Sequence, residues 1–534
     1  MSAQQFDIDV AIIGYGPTGV AAANFLGSRG VKVIAFEREK DIYQRARAVT
    51  VNDWTLRCFQ SVGLDQVLLK DMDPHTHYRW RTFAGKELMR VAVQPSALGQ
   101  PAAMAIYQPV MEQTLRDGAA RFAQHVQVRF SESVTRVEQD QEGATITASG
   151  GTVRARYVLA CDGGSSRTRE QLGIQLLGET IDTRWVVIDA KVKRWWPERH
   201  ILTFWSDKKR PVVDIALGLG NHRWEFPLEP HESEDQFATK AQLWTLLSSM
   251  GVHPDDVEIH QHAFYRHHVR AAECWRKGRV FLLGDAGHLM PPWAGQGMQS
   301  GIRDAFNLSW KLDLVVAGLV TGEAAESLLD SYEIERAPDV AFMTAESERL
   351  GRIIKMQMTI GEKSQALLSA LLGKFGIKPP PLPIALPPEL GAGWLGGSPV
   401  KGSAIGRMPP QPVMGTAKGR YGRLDDLIGP GFVLLGDNCD PATLLSPNQR
   451  AEWDRLSAGY QAIRSVDRGS EADSDLFDLD GTLLAWMRAH SAKAIALRPD
   501  RFVVADQKSG LHPPLTLVRG AGRSLARHGD RLKC

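Results

Sequence analysis

The stretch Val10–Glu37, VAIIGYGPTGVAAANFLGSRGVKVIAFE, decides the fold. Val10–Ile13 is an apolar run of buried-strand length. Gly14, Gly16 and Gly19 follow, with Pro17 and Thr18 between them, and a helical stretch runs to about Gly30. Val31–Phe36 reads as a second strand with Glu37 at its end. Strand, three glycines, helix, strand and acid form the dinucleotide-binding fingerprint in the context it requires. The glycines permit a tight turn and a close approach of pyrophosphate to the helix N-terminus, and the acid can hold ribose hydroxyls. A second match to the spacing, Gly391–Gly396, follows a proline-rich stretch and leads into no helical pattern, so it is set aside. The expected class is α/β with a Rossmann-like domain.

One fingerprint does not separate FAD from NAD. The distant segment Gly278–Leu312, GRVFLLGDAGHLMPPWAGQGMQSGIRDAFNLSWKL, does. Val280–Leu283 is a short apolar run ending at the turn Gly284-Asp285. A loop with Pro291, Pro292, Gly295 and Gly297 feeds a helix that opens near Met298. A carboxylate on such a turn can accept from ribityl hydroxyls, while the helix N-terminus favours an anionic group such as a reduced flavin ring. The two segments make sense together for one long, extended dinucleotide, FAD. A third signal agrees: Tyr157–Ala160 is a short strand leading to Asp162-Gly163, with Arg167 and Arg169 close behind.

Composition sets matching bounds. A chain of 534 residues should form two or three domains, and 43% hydrophobic with 23% charged residues is ordinary for a globular protein. A net charge of +2 gives no electrostatic reason to expect nucleic acid or an anionic membrane as partner. Cys58, Cys161, Cys274, Cys439 and Cys534 are odd in number, scattered and without CxxC, which argues against a disulfide framework, a zinc site and a dithiol reductase. The start, MSAQQFDIDV, lacks a signal-peptide pattern, and no uninterrupted 18-residue apolar run appears. A cytoplasmic location is expected.

Together the three motifs resemble those of the single-component, FAD-dependent aromatic hydroxylases, in order and spacing and over nearly the whole chain. Within that group the likeness is greatest to hydroxylases of 3-hydroxyphenylpropionate-type acids. Supporting stretches are RAVTVNDWTLRCFQSVGL (Arg47–Leu64), YVLACDGG (Tyr157–Gly164), GQGMQSGIRDAFNLSWKL (Gly295–Leu312) and RPDRFVVA (Arg498–Ala505). The resemblance implies a monooxygenase that takes hydride from NADH or NADPH, uses O2 and adds one hydroxyl to a phenolic ring, yielding a catechol.

Organisation follows from shifts in composition. Residues 1–182 are expected to hold the first part of the FAD domain. Residues 183–270, with aromatic strand-like runs at Trp185–Val192, Ile201–Trp205, Val212–Leu219 and Trp224–Phe226, are expected to form an inserted mixed sheet that walls a substrate pocket. Residues 271–376 return to the FAD domain and its helices. Residues 377–408 are too rich in proline and glycine for regular structure and read as a linker or surface strap. The tail, 409–534, resembles the thioredoxin-like C-terminal domain of several aromatic hydroxylases; lacking CxxC, it is expected to serve packing or a homodimer.

By resemblance, Glu37 and Arg38 sit at the adenosine end, and Arg47 faces the pyrophosphate or the nicotinamide nucleotide. Gln108 and Val134 contact FAD, and Asp162 is linked to FAD and nicotinamide binding. Asp285, on the turn with Gly284, binds the ribityl chain. Pro292, Gly295, Gly297 and Met298 border the flavin, the last two offering backbone N–H groups to its pyrimidine edge. The family's usual asparagine after that methionine is Gln299 here. No second dinucleotide fold appears, in keeping with the family's transient use of the nicotinamide.

Electrophilic oxygen transfer is faster once the phenol is hydrogen-bonded or deprotonated by a neighbour. Relatives carry acids near Asn52-Asp53 and a tyrosine near Tyr265, so Asn52, Asp53, Tyr265 and His267 are the candidate catalytic residues; an amide stands at the first position. His260 and His262 share a strand face, but nothing completes a ligand set and this chemistry needs no metal, so none is expected. A flavin halogenase is disfavoured because Arg194-Trp195-Trp196-Pro197 does not match the Trp-x-Trp-x-Ile-Pro signature. A hydroxylase that tailors polycyclic polyketides, and a non-catalytic flavin-binding protein, remain as alternatives.

Overall fold

A computed structural model describes residues 6–44, 47–362, 364, 386–469 and 472–514. The fingerprint folds as its pattern requires. Strand β1 (Ile8–Ile13) is followed by α1 (Pro17–Gly27) and β2 (Val33–Glu37). β1 lies between β2 and β3 (Gly151–Ala160), parallel to both, with Val10 opposite Val33 and Tyr157. Val280–Leu282 extends the parallel set beyond β3, and Val126–Phe130 extends it beyond β2. Val10, Ala11 and Ile12 are wholly buried because both faces of this sheet are covered.

The second sheet has eight strands. Its centre is the long ribbon of β4 (Leu176–Val192), β5 (Val212–Leu217), β6 (Asn221–Pro227) and β7 (Val257–Ala272), in the order β7-β4-β6-β5. Ile201–Trp205, then His77–Arg81 and Glu87–Ala92, continue it. These last two strands come from within residues 1–182, so the wall draws on chain outside 183–270. Alternation gives the sheet two distinct faces. Val186, Ile188, Trp224 and Phe226 cluster with Leu243 and Leu247 of the helix Lys240–Ser249. Trp80, Trp185, Phe204, Val213 and Ile215 cluster on the other side with Trp293, Leu350 and Ile354.

Four further helices frame the site: α2 (Asp53–Gln60), α3 (Gln108–Ala120), α4 (Gly297–Val316) and α5 (Gly322–Ile354). Among the described residues no helix is long and apolar enough to cross a membrane.

The C-terminal part forms a seven-stranded sheet with its own core. Val433–Asp437 runs parallel to Gly459–Ser465 and antiparallel to Ala494–Leu497, which pairs with Val503–Asp506. The stretch expected to be a linker or surface strap falls partly outside the described residues, and the rest of it mixes exposed positions such as Leu386 and Val400 with anchored ones. Leu390, Trp394, Ile405 and Met408 are buried. Trp394 packs edge-on against Trp310 of α4, and its N–H donates to Glu335 (2.8 Å). Proline and glycine deny this segment regular structure, while its apolar side chains still seek the core.

Candidate functional site

A cavity of about 1480 Å³ lies between the two large sheets. That exceeds the roughly 1000 Å³ upper range of single small-ligand sites and leaves room for a dinucleotide and a second molecule. Of the expected cofactor residues, Gly14, Gly16, Pro17, Thr18, Glu37, Arg38, Arg47, Gln108, Val134, Asp162, Asp285, Pro292, Gly295, Gly297 and Met298 line it. Gly19 and Gly284 lie just behind the wall. A side chain at Gly19 would collide with the Gly14 carbonyl, and one at Gly284 would press on the Thr18 hydroxyl.

Each wall element brings free polar groups to the cavity. α1 begins at Gly16 and α4 at Gln296, and neither N-terminus has a side-chain cap, so their first-turn N–H groups are open to an anion. Nothing stands within 4 Å of where a Cβ on Gly16 would be; the gap is a cradle that a side chain would fill. The Glu37 carboxylate is fixed by the backbone N–H groups of Tyr15 (2.8 Å) and Glu39 (2.9 Å) at the tip of β2. One Asp162 oxygen accepts from Thr168, while its buried Oδ1 has no partner among the described residues. Gln108 opens α3 and accepts the backbone N–H groups of Arg47 and Ala48, both at 2.8 Å, which shapes the Arg47 segment. These features suit a long dinucleotide such as FAD, with two open helix N-termini for anionic groups and carboxylates at Glu37 and Asp285 for hydroxyls.

The four candidate catalytic residues separate. Asn52 and Asp53 line the cavity, whereas Tyr265 and His267 do not. Asn52 is the N-cap of α2: its Oδ1 accepts from the Thr55 N–H (3.1 Å) and from Arg303 (2.9 Å). Gln299 completes this joint by accepting from the Asn52 N–H and the Thr55 hydroxyl, both at 2.9 Å. Arg303 is buried, and burial lowers its pKa; among the described residues no carboxylate lies within ion-pair distance of it. Asn52→Asp should therefore keep the cap and give Arg303 a counter-charge, whereas Asn52→Ala should cost about 1–2 kcal/mol. Urea unfolding of both variants checks the contrast, and equal losses would refute it.

Asp53 accepts from the Trp54 N–H (2.7 Å) and the Ser96 hydroxyl, and burial raises its pKa. The Tyr265 hydroxyl donates to Glu225 (2.7 Å), and it is Glu225 that reaches the cavity. His267 lies one layer deeper, stacked on Trp185 with the edge of Trp293 against it. Among the described residues both its ring nitrogens lack partners, and burial pushes its pKa down to about 3. The folded protein thus refuses a proton that the unfolded chain takes below about pH 6.5. Stability should fall from this group as pH drops from there towards 3, by about 1.4 kcal/mol per pH unit. His267→Phe should make the decline in urea midpoint between pH 6 and 4 shallower by that one proton; unchanged slopes would count against the burial argument.

The chamber beyond the flavin site is bordered by Tyr78, Trp80, Leu202, Phe204, Val213, Ile215 and Trp293, with Glu225 among them. Sequence reasoning passed over Glu225. The available signal was a wholly buried strand, NHRWEFP, with Arg223 and Glu225 two apart on one face. Arg223 pairs bidentately with Asp189 (2.7 and 2.8 Å) and donates to the Arg47 carbonyl (3.0 Å). The sheet and the cofactor loop are thereby tied together.

Over residues 7–347 the chain matches the family described as FAD binding domain, and over residues 406–515 the HcaD C-terminal domain. The chain belongs to the FAD-binding monooxygenase family. It is 34% identical over 528 residues, 95% of this chain and 92% of the relative, to a 3-(3-hydroxy-phenyl)propionate/3-hydroxycinnamic acid hydroxylase of Mycolicibacterium smegmatis. It is 36% identical over 516 residues, 93% of each chain, to the protein of the same name from Burkholderia cenocepacia. Its fold is similar to that of the flavin-dependent monooxygenase PieE (TM-score 0.77, 23% identity, 96% of this chain and 98% of that one). It is also similar to that of aklavinone-11 hydroxylase (TM-score 0.75, 22% identity, 96% and 99%). This FAD-dependent monooxygenase is thus an α/β protein with a distinct C-terminal domain. Bound FAD supplies the hydride acceptor and the oxygen-activating centre. The chain's own residues would hold FAD along the glycine-rich wall, next to a chamber lined by Trp80, Phe204 and Trp293.

Proposed function

We propose that this monooxygenase hydroxylates a 3-hydroxyphenylpropionate-type acid to the catechol, consuming O2 and NADH or NADPH. The observation that carries this is full-length identity of 34–36% to hydroxylases of that substrate. An apolar chamber lined by Trp80, Phe204 and Trp293, with room beside the cofactor cradle, supports it. In this proposal the glycines and α1 hold the pyrophosphate, Glu37 the adenosine ribose, Asp285 the ribityl chain, and Gly297 with Met298 the flavin edge. We also take the C-terminal layer to be thioredoxin-like. Its strands Val503–Asp506, Ala494–Leu497, Val433–Asp437 and Gly459–Ser465 lie side by side in sequence order 4-3-1-2, the first two strands parallel and the others antiparallel to their neighbours, which supports this.

The test is NADH and NADPH oxidation by the holoenzyme with and without 3-(3-hydroxyphenyl)propionate, together with product mass. Stimulated oxidation with a gain of one oxygen is expected. Stimulation without oxygenated product would mean that the acid only triggers flavin reduction and that the substrate is a different ring, such as a polycyclic phenol.

A further inference from the structure

Asn52 lines the cavity, but its oxygen is spent on capping α2 and on Arg303. Both Asp53 oxygens already accept hydrogen bonds, and Tyr265 and His267 stand behind the chamber wall. At the aromatic end of the cavity, beside Trp80, Phe204 and Val213, Glu225 keeps acceptor capacity. Glu225 lies on the cavity face of β6, opposite Val213 of β5 and Val187 of β4. Its Oε2 takes the Tyr265 hydroxyl at 2.7 Å. Its Oε1 lies 3.8 Å from Arg223 Nη1, beyond hydrogen-bond range, and the side chain retains 9% exposure, at a cavity wall of aromatic and aliphatic groups.

We propose that Glu225 accepts the hydrogen bond, and then the proton, of the substrate's ring hydroxyl. The substrate O–H bond breaks and a Glu225 Oε1–H bond forms. The electron pair stays on the phenolate oxygen and enriches the ring carbons that receive oxygen, and the proton later passes to water in the cavity. Tyr265 and Arg223 are positioning residues: the first pins one carboxylate oxygen, and the second, locked to Asp189, supplies a nearby positive charge. Burial raises the Glu225 carboxyl, which brings its proton affinity closer to that of an activated phenol. This assignment rests on the phenolic substrate proposed above.

Binding to the oxidised holoenzyme, read from the flavin absorbance without any nicotinamide, tests it. The wild type should prefer 3-(3-hydroxyphenyl)propionate to 3-phenylpropionate by roughly 10- to 100-fold, the range for a hydrogen bond to a charged group. Glu225→Gln should cut that preference about tenfold, and should lower the fraction of NAD(P)H that yields hydroxylated product. Glu225→Asp keeps the charge but withdraws it by one methylene, and should lose most of the preference too. Flavin content and melting temperature establish that the variants fold. An unchanged preference in a folded variant overturns the role of Glu225 and leaves the substrate proposal standing. Phenol and benzene as a second pair separate the other failure. If the wild type binds neither acid yet favours phenol, and Glu225→Gln loses that preference, the acid is wrong and Glu225 stands. If the wild type favours no hydroxylated ring, both proposals fall.

Discussion

Gly16→Val should yield a protein that folds and leaves purification colourless. Gly16 has φ −74°, a value any residue adopts, so a side chain brings no backbone strain. Its Cβ would meet no protein atom within 4 Å, so packing is undisturbed. The branched side chain would instead occupy the cavity at the N-terminus of α1, where the phosphates must come close to backbone N–H groups. FAD affinity should fall at least 100-fold, a loss of about 2.7 kcal/mol, while the apoprotein's melting temperature stays that of wild-type apoprotein. Gly14→Val is the contrasting variant. Gly14 sits at φ +92°, and its Cβ would lie 2.5 Å from the Cys161 carbonyl oxygen, so the first sheet itself must yield. That variant should lose melting temperature as well as flavin. A Gly16→Val protein that keeps one FAD per chain would place the pyrophosphate elsewhere.

The second large effect is expected at Glu335, on α5. Its wholly buried carboxylate accepts from Lys311 (2.8 Å), both Arg498 Nη groups (2.8 Å each), Asn307 (2.7 Å) and the Trp394 N–H. Arg498 opens the RPDRFVVA stretch of the C-terminal part, so one carboxylate holds α4, α5 and that part together. Glu335→Ala strands the Lys311 ammonium and half of the Arg498 guanidinium away from water. A cost of about 3–5 kcal/mol is expected, as when one partner of a buried ion pair is removed. The C-terminal part should also become cleavable by limited proteolysis. Burial alone would raise the Glu335 carboxyl, but Arg498 and Lys311 outweigh it and bring it down to about 2. With a depressed pKa, its contribution is fully present above the ordinary carboxylate value near 4.5 and fades as pH falls towards 2. The variant should therefore lose part of the wild type's acid sensitivity in that window. An alanine variant as stable as wild type, with the same acid limb, would show that this network does not hold the parts together.

The cofactor half of this site was legible because its signals are local. A glycine at positive φ, a helix N-terminus and an acid at a strand end lie within 30 or so residues, and elementary geometry joins them. The substrate half was not, because it is assembled across the chain. The hairpin of His77–Arg81 and Glu87–Ala92 joins a sheet whose remaining strands begin at Leu176, and no periodicity announces that pairing. Glu225 was passed over because a charged residue in an aromatic strand gains meaning only once Tyr265 is known to face it. Asn52 was weighed as a lost base, when its oxygen serves α2 and Arg303, a partner 251 residues away. The Pro/Gly-rich stretch was legible only in part. Composition reported the absence of regular backbone correctly, but said nothing of where Trp394 would pack.

α2 has one end at the chamber and its middle elsewhere. Asn52 and Asp53 start it at the cavity wall, while Arg57 is clasped by Asp425 (2.7 and 2.9 Å) and Gln60 by Gln411 and Asp426 (2.7 Å each). The C-terminal part thus acts as a jig for one chamber wall, and among the described residues none of 409–514 lines the cavity itself. Changes at this clasp should then be felt at the chamber. Substitutions in the helix and in its distant clasp should therefore be energetically coupled, and grafting this part from one relative onto another should shift ring orientation before it alters cofactor affinity.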